Sequence, residues 1–315
     1  MTTTSGLTST AAVSELLEST GYLTDEGLAT ITYLALAMGR PLLLEGEPGT
    51  GKTSLAEALA AGLDRPLIRL QCYEGIDASQ ALYDWDFTKQ ILHLRALETA
   101  AVTRGAERPV GSEATADPAA GNGLATEEIE KSLFDERFLL DRPLLKALRN
   151  GPAVLLIDEI DRADDEFEAF LLEILSAWQV TIPELGTIRA QTPPVVVLTS
   201  NRTRELHDAL KRRCLYHWID HPGLAREVAI VRTRLPQVSE RLAEQLVTVV
   251  QNLRRDAHLI KPPGVAESLD WAQALVELGA SELDLATAAA TTGALCKHRE
   301  DLDRVRSSLE KILAG

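Results

Sequence analysis

The sequence predicts an α/β protein, in which a parallel five-stranded sheet lies between helices and an all-helical region follows. Two observations lead to this fold class. Short, continuously apolar runs alternate with helical segments as far as His221-Pro222, a pattern typical of a parallel sheet that is covered on both faces. Beyond that point we find only amphipathic stretches such as 238–253 and 265–278, which predict helices alone.

The composition describes a globular chain with an acidic surface. The 315 residues are 45% hydrophobic, and the formal net charge of -15 argues against a surface built for the phosphates of nucleic acid. Cys72, Cys214 and Cys296 form no CxxC pair, which predicts reduced thiols and no zinc site. There is no signal-peptide pattern and no apolar run near the ~20 residues that span a bilayer. We therefore expect a cytoplasmic protein with no membrane partner.

The elements follow from local patterns in chain order. An N-cap and acidic first turn at Thr24-Asp25-Glu26 begin a helix that Gly39 and Pro41 end. Apolar runs predict the five strands, at 42–44, 66–71, 153–157, 194–198 and 216–219. Helical character predicts the remaining helices, at 54–63, 78–99, 143–148, 167–178, 238–253, 265–278 and 301–313.

These elements suggest three parts of the chain. Residues 1–20 are rich in Thr and Ser, and we expect a flexible N-terminal tail there. Residues 21–222 form the α/β core, and residues 223–315 form an all-helical lid domain. Within the core, residues 102–126 are rich in Gly, Ala, Pro, Thr and Glu without an apolar period, which predicts a flexible insert.

A glycine-rich octet is the clearest functional signal. Residues 46–53 satisfy G-x-x-x-x-G-K-[ST], follow an apolar strand and open a helix. Glycines let backbone amides turn towards phosphates, and the helix dipole points at the same anion. We expect Lys52 to reach the β- and γ-phosphates of ATP and Thr53 to bind Mg²⁺; a chance glycine-rich turn is the alternative. The predicted nucleotide-binding residues are Gly46, Glu47, Pro48, Gly49, Thr50, Gly51, Lys52, Thr53 and Ser54.

Two adjacent carboxylates end the third predicted strand. The ligand crevice of a parallel sheet lies at the carboxyl ends of its strands. There we expect Asp158 to hold Mg²⁺, through water, and Glu159 to polarise the attacking water, which fits a hydrolase better than a kinase. A solvated strand end is the alternative. For Arg162, which follows closely, contact with a neighbouring subunit and an ordinary salt bridge both stay open.

Polar and cationic residues follow the next strand. Asn201 stands directly after the fourth predicted strand, where it is expected to contact the γ-phosphate or orient the water that attacks it; a simple turn residue is the alternative. Arg212 and Arg213 precede the fifth strand. An arginine from a neighbouring subunit stabilises the charge of phosphoryl transfer, and we favour Arg213 over Arg212 for this role. The alternative is a basic helix end whose charges interact favourably with the dipole of their own helix.

These four signals, in this order and with helices after them, resemble AAA+ P-loop ATPases over nearly the whole chain after the tail. Residues 47–53 and 158–163, with 178–183 as an extra hairpin, look like the MoxR family. Residues 70–75 and 210–216 look like its CoxD-type branch. The resemblance implies a hexameric ring and a partner with a von Willebrand factor A domain. It also implies chaperone-like work on a client metalloenzyme, such as maturation or metal insertion in carbon monoxide dehydrogenase and related molybdenum hydroxylases.

One part of the AAA+ pattern is missing. Many members present a lid arginine to the γ-phosphate, but the matching segment 263–268 has none, and Ser268 stands in its place. Lys261 is a candidate for the missing cation, with simple solvation of its side chain as the alternative.

Other functions remain open at this level. A motor or loader that acts on nucleic acid is the main alternative, which the acidic charge disfavours. A nucleotide-gated scaffold is a third, which Asp158 and Glu159 disfavour. For the aromatic residues Tyr83, Trp85 and Phe87 we favour packing over a loop that grips a client.

Overall fold

A parallel sheet of five strands lies at the centre of the computed structural model, which describes residues 7–106, 132–255 and 259–314. Leu42, on an inner strand, pairs with Val197 on one side and with Leu215 on the other. The predicted parallel five-stranded sheet is confirmed. From edge to edge, the strands are β2 (Leu67–Gln71), β5 (Val154–Asp158), β8 (Val195–Ser200), β1 (Leu42–Gly46) and β9 (Leu215–Ile219).

The sheet buries both faces because its strands are apolar at successive positions. Leu42 and Leu44 point into one core, and Leu43 between them points into the other, as the two-residue period of a strand requires. Helices supply the opposite walls of both cores. Those of the first core are α1 (Thr10–Ser19), α2 (Glu26–Met38) and α3 (Lys52–Gly62), and those of the second include α4 (Ala78–Ala81), α6 (Pro143–Arg149), α7 (Asp165–Ala177) and α8 (Asp208–Arg213).

The expectation of a flexible tail over residues 1–20 is wrong for Thr10–Ser19, which forms α1. The Ser9 side chain caps this helix by accepting a hydrogen bond from the Ala12 amide at 3.2 Å. Val13 and Leu17 are fully buried beside α2 and α3. Their spacing of four residues places both on one helical face, so burial of that face holds a segment whose Thr and Ser content suggested disorder.

Two antiparallel strand pairs flank the sheet. The hairpin expected after Trp178 is present as β6 (Gln179–Ile182) and β7 (Gly186–Arg189). The pair of β3 (Tyr83–Trp85) with β4 (Leu139–Asp141) was not predicted, because its strands are three residues long and far apart in sequence. Short strands with a distant partner leave no local pattern.

The aromatic residues near β3 divide between two environments. Tyr83 and Trp85 pack against the core and meet each other edge-to-face, with ring centroids 6.3 Å apart, in agreement with the packing interpretation. Phe87, at the start of α5 (Phe87–Ala106), is 63% exposed. The predicted flexible insert is wrong over 102–106, which continue this helix, and from residue 107 onwards it lies outside the described residues.

Helices alone follow β9 in the described part of the chain. They enclose a core of their own around Trp271, which is fully buried with Leu246, Leu275 and Val305. The helices expected near 238–253, 265–278 and 301–313 are present, and two more accompany them. In chain order they are α9 (Leu224–Arg234), α10 (Glu240–Arg254), α11 (Val265–Glu277), α12 (Leu285–Leu295) and α13 (Arg299–Ala314).

Candidate active site

The glycine-rich loop joins β1 to α3 and requires glycine at defined positions. Gly46 lies against β9, where a Cβ atom would stand 2.3 Å from the Ile219 carbonyl oxygen. Gly51 has a φ of 92° and forms the N-cap of α3, a left-handed conformation that glycine adopts without steric cost. The loop therefore leads directly into the positive end of a helix, which is the geometry that binds phosphate.

Lys52 lies across the base of this loop. Its Nζ donates hydrogen bonds to the carbonyl oxygens of Gly46 at 2.8 Å and Glu47 at 2.7 Å. The residue is only 6% exposed, and this burial lowers the pKa of Lys52, while nearby Asp161 and Glu47 oppose the change. A buried ammonium group held by neutral carbonyls gains a stronger partner when a phosphate enters.

The expected magnesium ligands come together at the end of β5. The Asp158 carboxylate accepts hydrogen bonds at Oδ1 from the hydroxyls of Thr53, at 3.1 Å, and Thr199, at 2.5 Å. Hydroxyl and carboxylate oxygens are ligands that Mg²⁺ accepts, with phosphate and water completing its shell. The residues present therefore fit a magnesium–nucleotide complex.

Thr199 is a site residue that the sequence analysis missed. Its hydroxyl accepts a hydrogen bond from the Glu159 amide at 2.9 Å while donating to Asp158. The side chain is buried on β8 and so orients both acidic residues. Its position two residues before Asn201, at the polar end of a strand, was the available signal.

Glu159 lies within reach of three polar side chains. Its backbone, directly after β5, is left-handed, with a φ of 54°. Asn201 Nδ2 donates to Oε1 at 3.4 Å, and Gln71 Nε2 donates to Oε2 at 3.2 Å. Arg162 forms a salt bridge to Oε2 at 3.4 Å. Of the two interpretations of Arg162, the structure places it in this salt bridge.

The loop after β8 is anchored to a buried carboxylate. Asp161 is 2% exposed and accepts hydrogen bonds from the amides of Asn201, at 3.2 Å, and Thr203, at 2.8 Å. Further along the loop, Arg204 pairs with the fully buried Glu168 of α7. These contacts link the Asn201 position to α8, which follows directly.

Arg212 and Arg213 lie at the C-terminal end of α8. Both are exposed, and within the described residues neither guanidinium forms a hydrogen bond or an ion pair. Arg40 holds this helix end in place by donating to the carbonyl oxygens of Arg212 at 2.7 Å and Arg213 at 3.1 Å. The structure thus brings Asp158, Glu159 and Asn201 together but leaves both arginines away from them.

A cavity of about 360 Å³ extends from the loop to the C-terminal helices. Of the predicted nucleotide-binding residues, those from Pro48 to Ser54 line it. Gly46 and Glu47 do not, since their carbonyls face Lys52. The cavity as a whole has the size and mixed apolar and polar lining of a small-molecule site, and its far end lies beyond the loop. That end is lined by Tyr22, Leu23, Asp25, Ile219, Arg226, Ile230, Val265 and Leu269.

Ser268, at the position of the missing lid arginine, does not face the cavity. It is fully buried and donates to Glu227 at 2.7 Å, and Glu227 also receives two hydrogen bonds of 2.6 Å from Arg254. Lys261, the other candidate, lies 3.9 Å from Glu267 and does not line the cavity. Arg234, which was not predicted from the sequence, lines the cavity and has no ion pair among the described residues.

The fold and this site define a P-loop nucleoside triphosphatase. A family model described as "AAA domain (dynein-related subfamily)" matches residues 41–214, more than half of the chain. The chain therefore belongs to this family and is an AAA+ ATPase that uses ATP and Mg²⁺, as the sequence predicted.

Relatives match over most of the chain at low identity. An uncharacterised protein of Staphylococcus haemolyticus is 22% identical over 260 residues, which are 81% of this chain and 82% of the relative. The uncharacterised protein YojN of Bacillus subtilis is 26% identical over 247 residues, 76% of this chain and 67% of that protein.

Among solved structures, the RuvB Holliday junction branch migration motor of Thermotoga maritima is similar at 17% identity and a TM-score of 0.46. The match covers 96% of this chain and 77% of the motor. At this low sequence identity the motor's substrate does not transfer to this chain.

Among the described residues, no helix combines the length and the apolar character that crossing a bilayer requires.

Proposed function

We propose that this ATPase works as a ring, with each active site completed by a neighbouring copy, and that it uses ATP hydrolysis to remodel a protein client. The observation that carries the proposal is the contrast between two sets of side chains. Asp158, Glu159 and Asn201 converge on the cavity, whereas Arg212 and Arg213 are held at the surface without partners among the described residues.

The chemistry within one subunit follows from the groups around the loop. Lys52 and the loop amides hold the phosphates of ATP, and Thr53 and Asp158 would hold Mg²⁺ in the same site. Bound there, the ion would supply positive charge that neutralises the phosphate oxygens. Glu159 accepts the proton of the attacking water, and Asn201, within 3.4 Å of that carboxylate, orients the water or the γ-phosphate. Thr199 holds the Asp158 carboxylate and the Glu159 backbone amide in place.

The remaining positive charge at the transferred phosphoryl group is supplied by a neighbouring copy of the chain. Arg213, with Arg212 beside it, extends from α8 into the neighbouring site and stabilises the transferred phosphoryl group. Arg40 supports this arrangement because its guanidinium fixes the carbonyl end of α8. A monomer on this account binds ATP but hydrolyses it poorly.

The client assignment rests on the resemblance of the motifs to the CoxD-type branch of the MoxR family. On this basis the assembly is a hexamer in the cytoplasm, and its partner carries a von Willebrand factor A domain. The client is a metalloenzyme of the molybdenum hydroxylase class that requires maturation or metal insertion. The net charge of -15 supports a protein client over nucleic acid.

The test is a pull-down with mass spectrometry that compares two variants. Glu159→Gln should bind ATP without hydrolysing it and so retain client and partner, whereas Lys52→Ala should bind no ATP and release them. The proposal expects a von Willebrand factor A protein and a metalloenzyme subunit enriched with Glu159→Gln alone. Equal recovery with both variants would contradict it. So would ATP turnover that DNA stimulates with a steep salt dependence.

A further inference from the structure

The edge strand β2 sends two polar side chains to the carboxylates that end β5. Along β2, Ile68 and Leu70 are buried in the core, and Arg69 and Gln71 lie on the opposite face. Gln71 pairs in register with Asp158. Because alternate residues of a strand share a face, Arg69 and Gln71 both reach the end of β5.

Arg69 forms an ion pair with Asp158. Its Nη2 donates to Oδ2 of Asp158 at 2.5 Å and to Oε1 of Gln71 at 2.8 Å. The Asp158 side chain is 4% exposed, and that of Arg69 is 51% exposed. Among the described residues, no other cationic group lies within 4.0 Å of this carboxylate. A buried carboxylate is costly without a positive partner, and here Arg69 is that partner.

The same carboxylate is the proposed ligand of Mg²⁺, and its other oxygen is already occupied. Oδ1 accepts the hydroxyls of Thr53 and Thr199, so Oδ2 is the oxygen left for a cation or a metal-bound water. The Arg69 guanidinium donates a hydrogen bond to that oxygen. A guanidinium at 2.5 Å leaves no room there for an ion with its water shell.

We propose that Arg69 holds Asp158 while no metal ion is bound and that Mg²⁺ enters by displacing it. This inference rests on the proposed role of Asp158 as a magnesium ligand. Release is inexpensive for Arg69, because half of its side chain already faces solvent in the cavity. Arg69 thus keeps the buried carboxylate paired before the metal binds and sets the metal concentration at which the site fills.

The test is a titration of Mg²⁺ into the protein bound to a fluorescent ADP analogue, with the half-saturating metal concentration as the readout. Arg69→Gln should lower that concentration on the order of fivefold, because the affinity of a ligand is reduced by the fraction of sites that a competitor occupies. Arg69→Lys keeps a competing cation and should stay close to the wild-type value.

A matched control separates competition from a general change in charge. Arg142 is also half-exposed and pairs with an aspartate, Asp84, at 3.1 Å, but it lies outside the cavity. Arg142→Gln should leave the metal titration unchanged. Thermal unfolding gives a second readout: without metal, Arg69→Gln should melt below the wild type, and added Mg²⁺ should raise its melting temperature by more.

The outcomes distinguish this inference from the function on which it rests. An unchanged or higher half-saturating concentration in Arg69→Gln would overturn the competition while leaving Asp158 as a ligand. Asp158→Asn should raise that concentration strongly. If Asp158→Asn instead binds Mg²⁺ as the wild type does, the ligand assignment itself fails, and the role of Arg69 fails with it.

Discussion

The backbone amide of Val265 donates a hydrogen bond to the carbonyl oxygen of Gly49 at 3.0 Å, and the Ala266 amide donates to the same oxygen at 3.3 Å. The first turn of α11 therefore rests directly on the phosphate-binding loop. The two segments approach closely because each has a glycine at the contact. A Cβ atom on Gly264 would lie 2.9 Å from the Pro48 carbonyl oxygen. This contact joins the C-terminal helices to the loop without the arginine that is missing at Ser268.

Gly264→Ala tests whether this contact carries information from the nucleotide to the helices. The new methyl group should push α11 away from the loop. We expect weaker ATP binding, on the order of tenfold for the loss of two hydrogen bonds. We also expect hydrogen exchange in α11 to lose its protection by ATP. Both effects are measured by nucleotide titration and by exchange with mass spectrometry.

Gly223→Ala is the matched control for this prediction. Gly223 is the N-cap of α9, as Gly264 is of α11, but a Cβ atom there would meet nothing within 4 Å. It should bind ATP as the wild type does. Equal effects of the two substitutions, or none in either, would contradict a specific role for the contact.

Arg254→Ala should destabilise the C-terminal helices strongly. Its guanidinium pairs with Glu227, which is fully buried, and the substitution leaves that charge without its cation. Breaking a buried pair in this way costs about 3–5 kcal/mol, measurable by chemical denaturation. Arg241→Ala removes an exposed pair with Glu282 at 2.7 Å and should cost less than ~1 kcal/mol. Similar losses of unfolding free energy in the two variants would contradict the stabilising role of the buried Arg254–Glu227 pair.

His221 should make stability depend on pH. Burial lowers the pKa of His221, and Arg254 lowers it further, while Glu227, Glu47 and Asp220 oppose the change. The unfolded chain therefore binds the proton at a higher pH than the folded one, and folding stability falls as the pH drops below about 6.5. In His221→Gln the free energy of unfolding should decline less between about pH 7 and pH 5. An identical decline in both proteins would contradict this prediction.

If Arg213 completes the active site of a neighbouring copy, as we propose, Arg213→Ala should bind ATP normally but lose the hydrolysis that depends on assembly. Lys52→Ala should be inactive for a different reason, the loss of nucleotide binding. Mixing the two variants should restore part of the ATPase rate at interfaces where an intact loop meets an intact arginine. If both variants assemble and the mixture stays inactive, the shared site is wrong.

Local sequence patterns were sufficient for the five strands of the central sheet, the glycine-rich loop and the acidic strand end, since each depends on neighbouring residues. They could not show the contacts made by Thr199 or Arg69, because their common partner Asp158 is 41 and 89 residues away along the chain. The N-terminal helix was missed for a related reason: its stability comes from burying Val13 and Leu17 against distant helices. The role of Arg40 could not be predicted from the sequence. Its acceptors are backbone carbonyls, and no residue type identifies these.

ATP turnover and ATP binding by Glu159→Gln show whether Glu159 is the general base of hydrolysis. The exposed Glu173 serves as the control, as Glu173→Gln. We expect Glu159→Gln to bind ATP with wild-type affinity and to lose turnover by about 10²–10⁴-fold, because its general base is removed. Glu173→Gln should match the wild type in both. Unchanged turnover in Glu159→Gln would rule out Glu159 as the general base.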